Sequence, residues 1–393
     1  MAKKVVLAGA CRTAIGSLGG SLSTVSAVEL GAAVIRDAVR RAGISPDLVE
    51  HVYMGCVIQA GLGQNVARQA AIKAGLPVQV PAVTVNVVCG SGLYAVDMAA
   101  QMIRSGEADI VVAGGMENMS MAPYALLQAR YGYRLNHGAM IDTLIKDALW
   151  DAFYDYHMGI TAENIAKQWG LTREELDRFA ANSQRKANIA QKSGAFVREI
   201  VPIEVKKKQE RFLFDQDEGL RPSTTAESIA GLRPAFQDDG VVTAANASTI
   251  NDGAAAIVVM SEEKAIELGI TPMGEWLAGA LSGVEPSVMG IGPVESTKKV
   301  MKKTGLTISE FDIIEANEAF ASQSIAVMKE LAINPEKLNP SGGAIALGHP
   351  VGASGCRILV TLLHEMEAAG ADTGLATLCI GGGMGCSAVV RRV

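Results

Sequence analysis

Two glycine-framed cysteines and one histidine in a glycine-rich loop are the side chains of this 393-residue chain best suited to covalent chemistry. The first, Cys89, follows the apolar Val87-Val88 and precedes Gly90-Ser91-Gly92, where a helical pattern begins. N–H groups exposed at a helix start, with the positive end of the helix dipole, favour a thiolate there. The glycines let a substrate come close to the sulfur. A nucleophilic cysteine needs a base, and the candidates are His51, His137, His157, His349 and His364. His349 is the choice, because Gly348-His349-Pro350-Val351-Gly352 is a glycine-rich turn ahead of a helix, a context that positions functional groups. His364 falls inside an apolar helical pattern, His51 begins a strand, and His137 lacks a recognisable partner pattern. The second cysteine, Cys379, ends a strand-like run before Gly381-Gly382-Gly383. Cys11, Cys56, Cys356 and Cys386 read as buried thiols, and no C-x-x-C spacing suggests a disulfide framework or a metal site.

These residues need a framework of strands and helices. Strands are expected over residues 4–8, 51–54, 81–86 and 109–113, with a helix opened by the capping-box sequence Ser26-Ala27-Val28-Glu29 and closed by Gly43, and another over 92–103. The alternation predicts parallel βα units. The same order returns as a helix over 294–303 closed by Gly305, a strand over 312–316, a helix over 353–368 and a strand over 374–379. Gly43 and Gly115 are 72 positions apart, Gly305 and Gly381 are 76 apart, and that near-equality points to an internal duplication. Two ordinary βα units sharing glycine punctuation are the alternative. Residues 121–242 break the pattern, are more polar, and carry a helix over 173–193 capped by Thr172 and Glu175, so they read as an insertion.

Length and a 49% hydrophobic composition predict two or three domains with large cores. A formal charge of -6 argues against nucleic acid as a partner, and the short run Lys206-Lys207-Lys208 reads as a solvated face. No apolar stretch approaches the roughly 20 residues that span a bilayer, and the strand-like start lacks a signal-peptide core. A cytoplasmic protein without membrane association is the expectation.

Four blocks follow one another in the chain: Val88-Cys89-Gly90-Ser91-Gly92, then Asn317-Glu318-Ala319-Phe320, then Gly348-His349-Pro350, then Leu378-Cys379-Ile380-Gly381-Gly382-Gly383. In that order they resemble the thiolase family, the enzymes of coenzyme A (CoA) thioester condensation and cleavage, along nearly the whole chain. The resemblance implies an α/β fold with a duplicated, five-layered αβαβα core and an inserted loop domain. Residues 1–120 with 243–272 would form the first core half, 121–242 the loop domain that covers CoA, and 273–393 the second half. It implies that Cys89 takes the acyl group, that His349 activates it, and that Cys379 removes a proton from the Cα of acetyl-CoA. The N–H groups of Cys89 and Gly381 would hold the tetrahedral oxyanion, and His349 with a water on Asn317 would hold the enolate. By itself, Asn317 reads as a simple helix cap.

For CoA, the resemblance points to His157 and Met158 at the acyl side, Arg221 at the nucleotide end, Ser248 at the pantetheine amide and Phe320 beside the pantetheine channel. Met158 as ordinary core and Arg221 as a surface charge are the bland alternatives. His157-Met158-Gly159 looks like the acetoacetyl-CoA-specific branch, so acetyl-CoA, acetoacetyl-CoA and CoA are the expected partners, in a homotetramer built as a dimer of dimers. No cofactor is expected. Competing readings are a thiolase acting on longer 3-ketoacyl chains, a decarboxylating ketoacyl synthase, for which a cysteine at 379 is the wrong residue, and a non-catalytic acyl-CoA carrier.

Overall fold

The computed structural model describes residues 3–207 and 210–393, so Lys208 of the basic run lies outside the described residues, while Lys206 is exposed. The main sheet follows one path through β1 (Val5–Thr13), β2 (His51–Gly55), β3 (Ala82–Val85), β4 (Ile110–Asn118), β5 (Asn251–Ser261), β6 (Gly274–Gly283), β7 (Ile313–Ala316), β8 (Thr373–Ile380) and β9 (Met384–Arg391). Their spatial order is β7-β8-β9-β6-β1-β5-β4-β2-β3. From the centre outward, β1-β5-β4-β2 in one direction repeats β6-β9-β8-β7 in the other. That palindrome is the duplication, with β3 as an addition to the first half. The halves meet where Val6 pairs with Glu275 and Leu7 with Gly274.

Parallel pairing accounts for only three of the eight neighbouring pairs along this path. The pairs β2–β3, β2–β4 and β7–β8 are parallel. The pairs β1–β5, β1–β6, β5–β4, β6–β9 and β8–β9 are antiparallel. The sequence did not announce β5, because Asn251–Ser261 is buried along its whole length and shows no polar–apolar alternation.

Burial on both faces also explains the layering. In β1, Val6 and Ala8 pack with Leu30 and Ile35 of α1 (Ala27–Ala42), whose neighbour is α2 (Val66–Lys73). The intervening Val5 and Leu7 face the opposite way, toward Leu93 and Val96 of α3 (Ser91–Ser105). In the second half, Ala388 and Val390 join that same middle cluster, while Val389 turns outward to Val294 and Val300 of one helix and Val327 of the next. Two further helices, α4 (Met158–Gln168) and α5 (Arg173–Ser193), belong to the polar middle of the chain. The outer helices of the second half are α6 (Gly292–Thr304) and α7 (Ala321–Glu330), and α8 (Val351–Ala369) lies beside α3. The succession α1/α2, sheet, α3/α8, sheet, α6/α7 is a five-layered αβαβα core.

Local signals place the helix ends where the sequence suggests them. Ser26 with Glu29 and Thr172 with Glu175 form capping boxes, and Gly43 and Gly305 close their helices in the left-handed region. Between the halves, α4 and α5 pack in a cluster that includes Ala247, Phe320 and Cys379. The fully buried Arg12 of β1 ties this middle segment to the core, reaching Glu199 at 2.6 Å and Asp217 at 2.8 Å. No helix among the described residues is long and apolar enough to cross a membrane.

The two central helices touch through glycine. A Cβ on Gly92 would stand 2.8 Å from the backbone N of Cys356, and one on Gly355 would stand 2.6 Å from the N of Leu93. Helix propensity alone makes Gly92→Ala stabilising by about 0.5–1 kcal/mol. Here the added methyl must push α3 from α8, so we expect a net loss of about 1–3 kcal/mol, read as a lower melting temperature by circular dichroism. A raised melting temperature would contradict this contact.

Candidate active site

Cys89 and His349 each stand two residues ahead of a central helix, Cys89 before α3 and His349 before α8. The turn that carries Cys89 is locally strained: Val88 has φ 45, in the left-handed region that a β-branched residue rarely adopts. Ser91 holds it, accepting the Val87 N–H at 2.8 Å and donating its hydroxyl to the Val88 carbonyl at 2.6 Å. A Cβ on Gly90 would come within 2.4 Å of Ile380 Cδ1, so a larger residue there must displace that side chain.

The histidine loop is equally determined. Gly348 has φ 109, and a Cβ on it would meet Asn251 at 2.4 Å. Asn251 Oδ1 accepts the His349 backbone N–H at 3.0 Å. The Ser354 hydroxyl donates to the Pro350 carbonyl at 2.9 Å and lies 2.6 Å from His349 Nδ1, so Nδ1–H is the donor to Ser354. That leaves Nε2 as a bare acceptor, buried without a partner among the described residues.

Cys379 lies near the end of β8, where Gly382 and Gly383, at φ 83 and 84, turn the chain into β9. Asn317 follows β7, donates its N–H to the Thr377 carbonyl at 2.9 Å, and brings its amide to 3.5 Å from His349 Nδ1. Its Oδ1 is buried and unpartnered among the described residues. The adjacent Glu318 clamps this loop, accepting from Ser183 at 2.6 Å and Asn339 at 2.9 Å.

Electrostatics correct one expectation. Burial pushes the Cys89 thiol up to about 11, and the N–H groups of Gly381 and of Cys89 itself, which point at the sulfur, only partly offset it. The helix start therefore does not yield a resting thiolate. Burial, reinforced by the Arg357 charge, lowers His349 to about 3. Burial also raises the Cys379 thiol, and Cys89 raises it further. The resting site is a neutral thiol beside a neutral imidazole, with the N–H groups of Cys89 and Gly381 directed at the sulfur.

One cavity of about 250 Å³ brings together Cys89, His349, Cys379 and Gly381 with His157, Met158, Ser248 and Phe320. Asn317 sits behind His349 and is not part of the wall. Arg221 is not brought in: it is exposed, and its backbone N–H donates to Gln184 at 2.8 Å. Sequence reasoning missed Phe236 and Met289, which also line the cavity. The Phe236 ring stacks on His157 at 4.8 Å and meets Phe320 edge-on at 6.2 Å. It explains the glycine of His157-Met158-Gly159, because a Cβ on Gly159 would stand 2.2 Å from the Phe236 ring. A lone aromatic in the polar run Arg233 to Asp239 was the available signal. His157 itself caps α4, its Nδ1 accepting the Gly159 N–H at 3.0 Å.

The charge states predict how Cys89 alkylates. A thiol titrating near 11 gives an iodoacetamide rate that climbs about tenfold per pH unit from pH 6 to 9. A plateau from pH 6 upward would instead show a resting thiolate–imidazolium pair.

Both halves of the chain match known families. The thiolase N-terminal domain matches residues 5–263 and the thiolase C-terminal domain matches residues 270–392. The acetyl-CoA acetyltransferase of Pseudomonas aeruginosa is 56% identical over 389 residues, covering 99% of each chain. That of Escherichia coli K12 is 55% identical over 392 residues, covering 100% of each. The crystal structure of the Bacillus anthracis acetyl-CoA acetyltransferase superimposes with a TM-score of 0.98 at 44% identity, over 100% of this chain and 99% of that one. With both domains matched and the duplicated five-layered core in place, the chain belongs to the thiolase family.

Proposed function

We propose that this chain is an acetyl-CoA acetyltransferase, joining two acetyl-CoA into acetoacetyl-CoA and CoA, and running in reverse as thiolysis. The observation that carries this reading is the convergence of Cys89, His349, Cys379 and Gly381 on one small, mainly apolar cavity. His349 Nε2 takes the Cys89 proton as the sulfur attacks the thioester, and the N–H groups of Cys89 and Gly381 stabilise the tetrahedral oxyanion. CoA departs with the proton of Cys379, leaving acetyl-Cys89 and a Cys379 thiolate. Because burial raises that thiol, its thiolate is a strong base. It removes the Cα proton of a second acetyl-CoA while the protonated His349, with a water held by Asn317, holds the enolate oxygen. The carbanion attacks acetyl-Cys89, whose departing sulfur recovers its proton from His349. Every proton is returned, and no step calls for a metal or redox cofactor.

Met158, Met289, Phe236 and Phe320 line this cavity, whose volume of about 250 Å³ favours a two-carbon acyl group over a longer chain, and Phe320 is assigned beside the pantetheine channel. Ser248 is assigned to the pantetheine amide, His157 to the acyl-side pocket, and the exposed Arg221 to the nucleotide end. Residues 121–242 are assigned as a loop domain over CoA, between core halves 1–120 with 243–272 and 273–393. A homotetramer in the cytoplasm completes the proposal, and the exposed Leu127, Tyr131 and Leu135 are apolar surface that an assembly would bury.

CoA-dependent cleavage of acetoacetyl-CoA, compared with six- to ten-carbon 3-ketoacyl-CoA esters, tests the reading. We expect cleavage confined to the four-carbon ester and lost by at least about 10³-fold in Cys89→Ser. Comparable cleavage across the series would assign the chain to the longer-chain branch, and none at all to a carrier role.

A further inference from the structure

Glu117 is a fully buried carboxylate in β4 with no part in the cycle above. It accepts hydrogen bonds from three backbone N–H groups of two separate segments. Val57 and Ile58, just after β2, donate at 3.0 and 3.2 Å, and Gly352, in the first turn of α8, donates at 2.9 Å. The Cys56 sulfur lies 3.7 Å from the same carboxylate. No cation is among these partners.

α8 starts without a cap of its own. Pro350 carries no N–H, and no side chain at that position accepts from the first turn. An orphan helix N–H and the positive end of the dipole are the two things a carboxylate satisfies. Glu117 does so from the other half of the molecule. The fit is tight: a Cβ on Gly352 would stand 2.7 Å from Glu117 Oε2 and 3.0 Å from Cys56 Cα. Gly115, two residues before Glu117, lets the Gly352 carbonyl pass, since a Cβ there would stand 2.0 Å from that oxygen.

We propose that Glu117 is the positioning residue for His349: it caps, from the first half, the helix of the second half that holds the imidazole. Gly352 is three residues past His349, and Pro350 and Ser354, which fix the ring through Nδ1, belong to the same turn. A carboxylate buried without a cation costs stability. Burial pushes Glu117 up to about 7 against the pull of its three N–H donors. The inference rests on reading His349 as the base for Cys89.

Purified Glu117→Gln tests it beside wild type. Gln keeps the shape and one acceptor oxygen but turns an NH₂ toward a backbone N–H. We expect kcat for acetoacetyl-CoA thiolysis to fall about 10- to 100-fold with KM within twofold, as for a misplaced catalytic group. We expect Cys89 alkylation by iodoacetamide at pH 8 to slow, and Glu117→Asp to recover part of kcat. The alkylation sign separates positioning from charge, because the Glu117 charge raises the Cys89 thiol, so its removal alone would speed alkylation. An unchanged kcat, faster alkylation, or failure of both variants to fold would overturn the proposal. Wild type that neither cleaves substrate nor alkylates at Cys89 would instead overturn the functional reading beneath it.

Discussion

The backbone contact between the two central helices is the constraint from which the site follows. Gly92 against Cys356 and Gly355 against Leu93 bring α3 and α8 closer than any side chain allows. Each helix is preceded by one reactive residue at the same offset, so their contact sets Cys89 and His349 at one cavity. In the second half β8 brings Cys379, near its end, to the same cavity. A duplicated fold thus supplies two equivalent helix starts, and chemistry arises because the halves carry different residues there. Gly55 and Gly115 extend the contact to the strand ends, both lying against the Gly352 carbonyl.

The same close packing sets the electrostatics. Water exclusion lifts Cys89 and Cys379 and depresses His349, so neither sulfur is charged at rest. In the proposed cycle charge appears only during reaction, where the N–H groups of Cys89 and Gly381 would meet the oxyanion. The proposed division of roles between the two sulfurs rests on position: Cys89 faces both N–H donors on a strained turn, whereas Cys379 stands deeper and lacks that pair.

Much of this architecture is legible in the sequence where local chemistry decides it. Capping boxes at Ser26 and Thr172 and left-handed glycines at 43 and 305 act within a few residues, so the helices they bound were readable. β5 and β9 were not, because strands buried on both faces lose the period-two signal, and the antiparallel pairing they create was lost with them. Cys89, His349 and Cys379 were visible from their glycine settings. Phe236, Ser354 and Glu117 act through contacts that spacing does not encode; Glu117 and Gly352 are 235 positions apart. The thiolate expected at Cys89 failed because a local dipole argument omits burial, which here is the larger effect.

The central claim is that Cys89 stores the acyl group and Cys379 moves only a proton. Acid-quenched enzyme after mixing with acetyl-CoA, digested and weighed by mass spectrometry, tests it directly in wild type and in Cys379→Ser. An added acetyl group on the peptide containing Cys89 is expected in both proteins. An acetyl group on Cys379 in wild type, or none on Cys89 in the variant, would contradict it.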